Sequence, residues 1–118
     1  MHTEHCSLTP PTARQINQAR AEGRRVIAVG TTAVRVLETA AGKEHTVEPF
    51  LGPTDLFIYP GYEFRAIDGM ITNFHLPRST LLMLVAAFCG KELMDRAYAE
   101  AIRLRYRFYS FGDAMLIL

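Results

Sequence analysis

The chain carries almost no net charge. Its 13 Lys and Arg stand against 12 Asp and Glu, which leaves +1 with histidine neutral. Nothing in that balance requires a strongly anionic partner, although it is compatible with a local basic patch. Cysteine is scarce. Cys6 and Cys89 have no CxxC partner and read as free thiols of a reducing compartment. Long apolar runs are missing as well. The longest charge-free segment with a helical look, Ser79 to Gly90, is too short to cross a bilayer. His2, Glu4, His5, Pro10 and Pro11 leave no signal-peptide core near the start, so a cytoplasmic protein is the expectation. Repeats and low-complexity stretches are also absent.

What is present is ordinary globular material. The 118 residues, 49% hydrophobic and 21% charged, point to one domain and argue against disorder. Met1 to Leu8 is polar and reads as irregular. Thr9 is an N-cap before Pro10, and a thin-faced surface helix over Pro10 to Glu22 ends at Gly23. Val26 to Val29 is a short continuous apolar run, the kind found in strands buried on both faces. Gly30-Thr31-Thr32 then leads into a helix with Ala33, Val36, Leu37 and Ala40 on one face, closed by Gly42.

Lys43 to Thr54 reads as a loop, with Pro49, Gly52 and Pro53 as breakers. Leu56 to Tyr59 reads as a second apolar strand, and Glu63 to Asp68 alternates weakly. Met70 to Phe74 is strand-like, stopped by Pro77, and Ser79 caps a helix over Thr80 to Cys89 that is apolar nearly all round. Gly90 separates it from an amphipathic helix over Lys91 to Arg107, which places Leu93, Met94, Ala97, Tyr98, Ala101, Ile102 and Arg105 inward. Ala114 to Leu118 is a last strand. The order α-β-α-β-β-β-α-α-β predicts an α/β layered fold with a mostly parallel sheet flanked by helices. Helices are too few to cover both sheet faces, and the chain opens without a strand. Both features suit an incomplete part of a larger α/β domain, or a missing partner.

Four places carry candidate chemistry. At Val29-Gly30-Thr31-Thr32 a strand end meets a helix start, where free N–H groups and a positive dipole end favour an anionic ligand. Arg35, one turn later, adds a guanidinium fork. The same pattern serves a plain helix cap with Arg35 paired to Glu38. At Met70 to Leu76 an extended chain puts Ile71, Asn73 and His75 on one side and Thr72, Phe74 and Leu76 on the other. Asn73 and His75 then form a polar strand end beside Ser79 and Thr80. His75 suits acid–base work, and a structural His–Asn hydrogen bond fits equally.

Arg103, Arg105 and Arg107 interleave with Tyr106, Phe108, Tyr109 and Phe111. That pattern suits single-stranded RNA, or a helix C-terminus with core aromatics. Finally, His2, Glu4, His5 and Cys6 are metal-ligand types without a second cluster, so no metal is expected. A substrate contact from His2 or Glu4 is open if a preceding domain fixes the segment. Asp113 reads as a turn residue.

Several stretches resemble one family together. They are His2-x-Glu4, Arg25-Val-Ile-Ala-Val-Gly-Thr-Thr-Ala-Val-Arg35 with Leu37-Glu38, and Thr54-Asp-Leu-Phe-Ile-Tyr-Pro-Gly-Tyr62. Asp68-Gly-Met-Ile-Thr-Asn-Phe-His-Leu-Pro77 with Ser79 to Val85, and Tyr106-Arg-Phe-Tyr-Ser-Phe-Gly-Asp-Ala-Met-Leu-Ile117, complete the set. They are similar to the C-terminal part of the S-adenosylmethionine:tRNA ribosyltransferase-isomerases of queuosine biosynthesis.

The resemblance implies that residues 1–118 form a single C-terminal α/β segment. The N-terminal part and a β-barrel-like domain of the family are then absent. It also implies the reaction. The ribosyl group of S-adenosylmethionine passes to 7-aminomethyl-7-deazaguanine at the wobble position of a tRNA with a GUN anticodon. Epoxyqueuosine-tRNA forms, and adenine and methionine leave. S-adenosylmethionine is then a co-substrate, and no metal is implied.

Carried onto this chain, the resemblance makes His75 the first acid/base candidate, with Asn73 orienting it or a ribose hydroxyl. Gly30, Thr31, Thr32 and Arg35 become ligand-holding residues, with Arg35 on the methionine carboxylate. Ser79 and Thr80 become helix-terminus donors, and Tyr106, Arg107, Phe108 and Asp113 lie toward substrate or tRNA. The alternative is a truncated, inactive subdomain or a small S-adenosylmethionine- or tRNA-binding module. Surfaces left exposed by truncation would favour self-association.

Overall fold

The structure, a computed structural model, describes residues 4–42, 44–75, 79–108 and 112–118. In chain order its elements are β1 (Glu4–Leu8), α1 (Pro10–Ala21), β2 (Ile27–Val29), α2 (Thr31–Ala40), β3 (Phe50–Thr54), β4 (Gly69–Asn73), α3 (Thr80–Cys89), α4 (Lys91–Arg103) and β5 (Ala114–Ile117). This is the expected α/β class. The main sheet has the order β2-β4-β5 and is mixed rather than mostly parallel: β2 runs parallel to β4, and β5 runs antiparallel to it. β1 and β3 form a separate antiparallel pair.

Two strands arise where the sequence reads as irregular. β1 is polar, but it alternates between half-buried and exposed positions until Leu8, which is buried. That alternation is what a ladder with one covered face requires. β3 contains Gly52 and Pro53, which signal a turn. In a two-stranded pair Pro53 sits on an edge, where a missing N–H is tolerated.

Conversely, the expected strand at Leu56 to Tyr59 does not form. Ile58 is fully buried there, but the chain makes no ladder. Glu63 to Asp68 is not a strand either. Three of its backbone donors go to a side chain: Glu38 of α2 accepts from the N–H groups of Arg65 (2.8 Å), Ala66 (2.8 Å) and Ile67 (3.2 Å), and from the Tyr62 hydroxyl (3.0 Å). The Tyr62 hydroxyl is held in its protonated form by burial and by the neighbouring Glu38.

α1 is capped by Thr9, which accepts from the Thr12 N–H, and only Ala13 of this helix is buried. Asn17 fastens α1 to the 41–47 turn by bonding both the N–H and the C=O of Val47. α4 ends four residues before the expected Arg107. Arg105 adopts a left-handed φ of 61°, and the Tyr106 N–H turns back to the Ala101 carbonyl. That closure usually falls to glycine, so sequence alone extends the helix too far.

The core lies on one face of the main sheet. Ala28 and Met70 are buried there with Val34, Leu37 and Leu84. Val85, Ala86 and Met94 of α3 and α4 pack against Met115 and Ile117. Both helices are less covered than their apolar patterns predict: Met83, Leu93 and Ile102 are exposed. The opposite sheet face is open. Val29, Ile71 and Leu116 stand side by side in register across its three strands. Val29 is 69% exposed, Leu116 59% and the adjoining Leu118 67%.

The Glu38 hub generates a stability prediction. Glu38→Gln replaces one acceptor oxygen by a donor and strands at least one buried N–H. We expect a loss of about 3 kcal/mol, since hydrogen bonds to charged groups and unsatisfied buried donors each carry about 1–3 kcal/mol. Disruption of the exposed Lys91–Asp95 pair should cost under about 0.5 kcal/mol. Urea denaturation of both variants checks the contrast.

Candidate functional site

The carboxyl ends of the parallel pair β2 and β4 meet at a pocket of about 390 Å³. From β2 and the start of α2 come Val29, Gly30, Thr31 and Thr32; from β4 and its exit come Ile71, Thr72, Asn73 and His75. Two stretches chosen separately in the sequence are thus brought together, at the position where open α/β sheets hold ligands. None of these lining residues is an Asp, Glu, Lys or Arg.

Gly30 shapes the lip. Its φ is 92°, a conformation open to glycine, and its N–H donates to the Ile71 carbonyl at 2.7 Å. As the N-cap of α2 it offers no side chain, so its turn presents backbone directly. Thr32 donates its hydroxyl to Glu4 Oε2 at 3.3 Å, which ties β1 to the rim.

Arg35 does not line the pocket. It is 3% exposed, and it donates to Glu4 Oε1 and to the carbonyls of Leu56 (3.1 Å) and Thr54 (3.5 Å). Those contacts make Arg35 a buried strut between α2, β1 and the 54–56 segment. The i+3 pairing with Glu38 is replaced, because Glu38 faces the 62–67 segment and Glu4 supplies the partner. Glu4 binds Arg35 and Thr32 here.

His75 departs from the strand pattern. The ladder ends at Asn73, paired with Ala114. Beyond it the chain turns, and His75 Nε2 comes within 2.8 Å of Thr72 Oγ1. Thr72 and His75 were expected on opposite sides, which would hold only if the extended chain continued. The ring's partner is Thr72, where a His–Asn bond was one expectation. The His75 N–H donates to the Tyr98 hydroxyl of α4 at 2.8 Å. Burial holds the imidazole below its ordinary value of 6.5. Asn73 is exposed at the rim.

Sequence reasoning missed Thr72 and Tyr98 as supports of His75. The available signal was a tyrosine inside the apolar stripe of α4, since a buried hydroxyl needs a partner.

The other candidates lie outside this pocket. Ser79 caps α3, accepting from the Leu81 N–H at 3.0 Å, and Thr80 is exposed. Tyr106 and Phe108 pack on Phe74, next to His75, with ring centroids 5.7 and 5.4 Å away. Arg107 donates its backbone N–H and its Nε to Asp113, which holds the Asp113 carboxyl below the usual carboxylate range.

A second, apolar groove of about 380 Å³ runs between α4 and β5, with Phe74, Cys89, Leu93 and Tyr106 on its walls. Among the described residues no three His, Cys, Asp or Glu side chains gather as a metal set. His2, Pro77, Tyr109 and Phe111 lie outside the described residues.

Comparison with known proteins assigns the arrangement to a family. The profile of the queuosine biosynthesis proteins matches residues 1–117. The chain belongs to that family. It is 63% identical over 118 residues to the S-adenosylmethionine:tRNA ribosyltransferase-isomerase of Moorella thermoacetica, covering all of this chain and 34% of that protein. The enzyme of the same name from Carboxydothermus hydrogenoformans is also 63% identical, with all of this chain and 35% of that protein covered.

A crystal structure of the S-adenosylmethionine tRNA ribosyltransferase from Thermotoga maritima superposes with a TM-score of 0.88 at 57% identity. It covers 95% of this chain and 39% of that one. The chain therefore spans about a third of the length of these curated relatives. No helix among the described residues is long and apolar enough to cross a membrane.

The lowered His75 value has a consequence for stability. The unfolded chain takes up a proton near the ordinary 6.5, while the native site resists it. Stability from this group is complete above that value and is lost as pH falls through the lower native value. Acidification from about pH 8 to about pH 5 should thus lower the melting temperature more in the native sequence than in His75→Gln. Thermal melts followed by circular dichroism check this.

Proposed function

We propose that this chain supplies the S-adenosylmethionine-handling part of a tRNA ribosyltransferase-isomerase. The reaction is ribosyl transfer from S-adenosylmethionine to 7-aminomethyl-7-deazaguanine at the wobble position of a GUN-anticodon tRNA. One observation carries the reading: Gly30, Thr31 and Thr32 converge with Asn73 and His75 on one pocket at the ends of parallel strands. The name shared by the relatives supports the substrate class.

In that reaction a proton is removed from the carbon beside the sulfonium sulfur, and the sugar rearranges toward an epoxide as the carbon–sulfur bond breaks and methionine leaves with its electron pair. The acceptor amine then bonds to the ribosyl carbon as the bond to adenine breaks, and adenine leaves with the electron pair. The N–H groups that open α2, with the hydroxyls of Thr31 and Thr32, hold the ligand at the Gly30 lip. His75 and Asn73 are the polar pair that meets the reacting part. Tyr106 and Arg107, both exposed, face the tRNA side, with Phe108 and Asp113 as their supports. Ser79 and Thr80 open α3 and add donors at its N-terminus.

The remaining two thirds of the protein, on this reading, covers the open sheet face at Val29, Ile71 and Leu116. That open face also favours a second reading of the chain by itself, as a subdomain that binds without turnover. Calorimetric titration with S-adenosylmethionine separates the two. Binding comparable to that of a full-length relative means that the Gly30 pocket suffices. No binding by a folded chain means that the pocket needs the rest of the protein.

Two outcomes are expected. In the Moorella thermoacetica relative, alanine at the position of His75 should lower turnover by about 10²–10⁴ while the protein stays folded; unchanged turnover removes His75 from the reaction. In this chain, Val29→Lys with Leu116→Lys should reduce self-association seen by sedimentation, because both face the open apolar strip.

A further inference from the structure

The Thr72–His75 contact assigns more than a position. Thr72 is buried, and among the described residues its hydroxyl has one hydrogen-bond partner, His75 Nε2 at 2.8 Å. A buried hydroxyl proton needs an acceptor, and Nε2 is the acceptor present. If Nε2 carried the ring proton, the Thr72 proton would have nowhere to go. Nε2 therefore accepts, and the proton of the neutral ring sits on Nδ1.

Nδ1 has no partner among the described residues. No buried side-chain nitrogen or oxygen there lacks a partner, so Nδ1 reaches solvent, and His75 lines the Gly30 pocket.

We propose that Thr72 holds His75 as the Nδ1–H tautomer, so that His75 presents a hydrogen-bond donor, and not a base, to the ligand in the Gly30 pocket. The inference rests on the reading of that pocket as the S-adenosylmethionine site. Burial keeps the ring neutral near neutral pH, and a neutral N–H polarises an acceptor without giving up its proton. The ligand atom opposite is then a lone-pair acceptor, such as a ring nitrogen or hydroxyl oxygen of the nucleoside. Proton removal in the reaction belongs to another group. Tyr98 is the titratable side chain that α4 brings to His75, and it is occupied by the His75 N–H. Thr72 is a positioning residue on this view, and Tyr98 holds the backbone after the strand ends.

Long-range ¹H–¹⁵N correlation of the full chain with ¹⁵N-labelled histidine tests this, read at a pH about one unit above the ordinary 6.5. His75→Gln identifies the resonances. The expected result is a protonated Nδ1 in the native sequence and in Thr72→Ser, with loss of that form in Thr72→Val. A native ring protonated on Nε2 overturns the inference and leaves the pocket reading standing. The native and serine forms decide the matter even where the valine form fails to fold. A protonated Nδ1 whose resonances do not move when calorimetry shows S-adenosylmethionine bound to the same sample overturns the pocket reading, and with it the donor role.

Discussion

One helix carries the polar load of this fold. α2 buries Arg35 and Glu38 one turn apart, and each is spent on a different neighbour. Arg35 reaches Glu4 of β1 and the carbonyls of Thr54 and Leu56. Glu38 gathers the donors of Tyr62, Arg65, Ala66 and Ile67. A buried charge is tolerated only when its lone pairs or protons are used, and here both are. The chain from Asp55 to Ile67 has no ladder of its own. It holds its course because α2 supplies the partners that a sheet would have supplied. The same helix begins at the Gly30 lip, so the position of the pocket depends on this anchoring.

That dependence explains what the sequence makes legible. Local signals sufficed for β2, Gly30 and α2, for the Thr9 and Ser79 caps, and for the polar end of β4. Each rests on residues within one turn or one strand. β1 and β3 were hidden because their register joins Glu4 to Thr54, and neither segment is apolar enough to announce itself alone. Leu56 to Tyr59 misled for the opposite reason. Ile58 is fully buried as a strand residue would be, with Leu56 and Phe57 half-buried, but the Leu56 carbonyl serves Arg35. Arg35 itself reads as a ligand fork, and its pairing with Glu4 of β1 has no local signal.

The site was half legible. Gly30 to Thr32 and Asn73 to His75 were readable as chemistry-bearing ends of apolar runs, and parallel pairing brings them together. The turn after Asn73 was not readable, because it is imposed from α4. Tyr98 takes the His75 N–H, and Phe74 is locked among Tyr98, Tyr106 and Phe108. Those rings lie far along the chain from β4. They convert what would be a continuing strand into a bend that returns His75 toward Thr72.

The pocket's own character bears on how much of the proposed reaction this chain can hold. Its lining is backbone, small hydroxyls, one amide, one imidazole and two apolar residues, Val29 and Ile71, and it opens to solvent at Asn73. Ribosyl transfer through reactive sugar intermediates requires that water be kept out. The walls described here do not close over the site. The neighbouring sheet face carries an apolar strip from Val29 through Leu116 that is wet in the chain alone. Burial of that strip is favourable in proportion to its area, at about 25 cal/mol per Å². Any segment that covers it would start at Val29, the residue that begins the pocket's own lip. The surface that favours docking of further protein and the site that needs exclusion of water are therefore contiguous, and one covering segment would serve both.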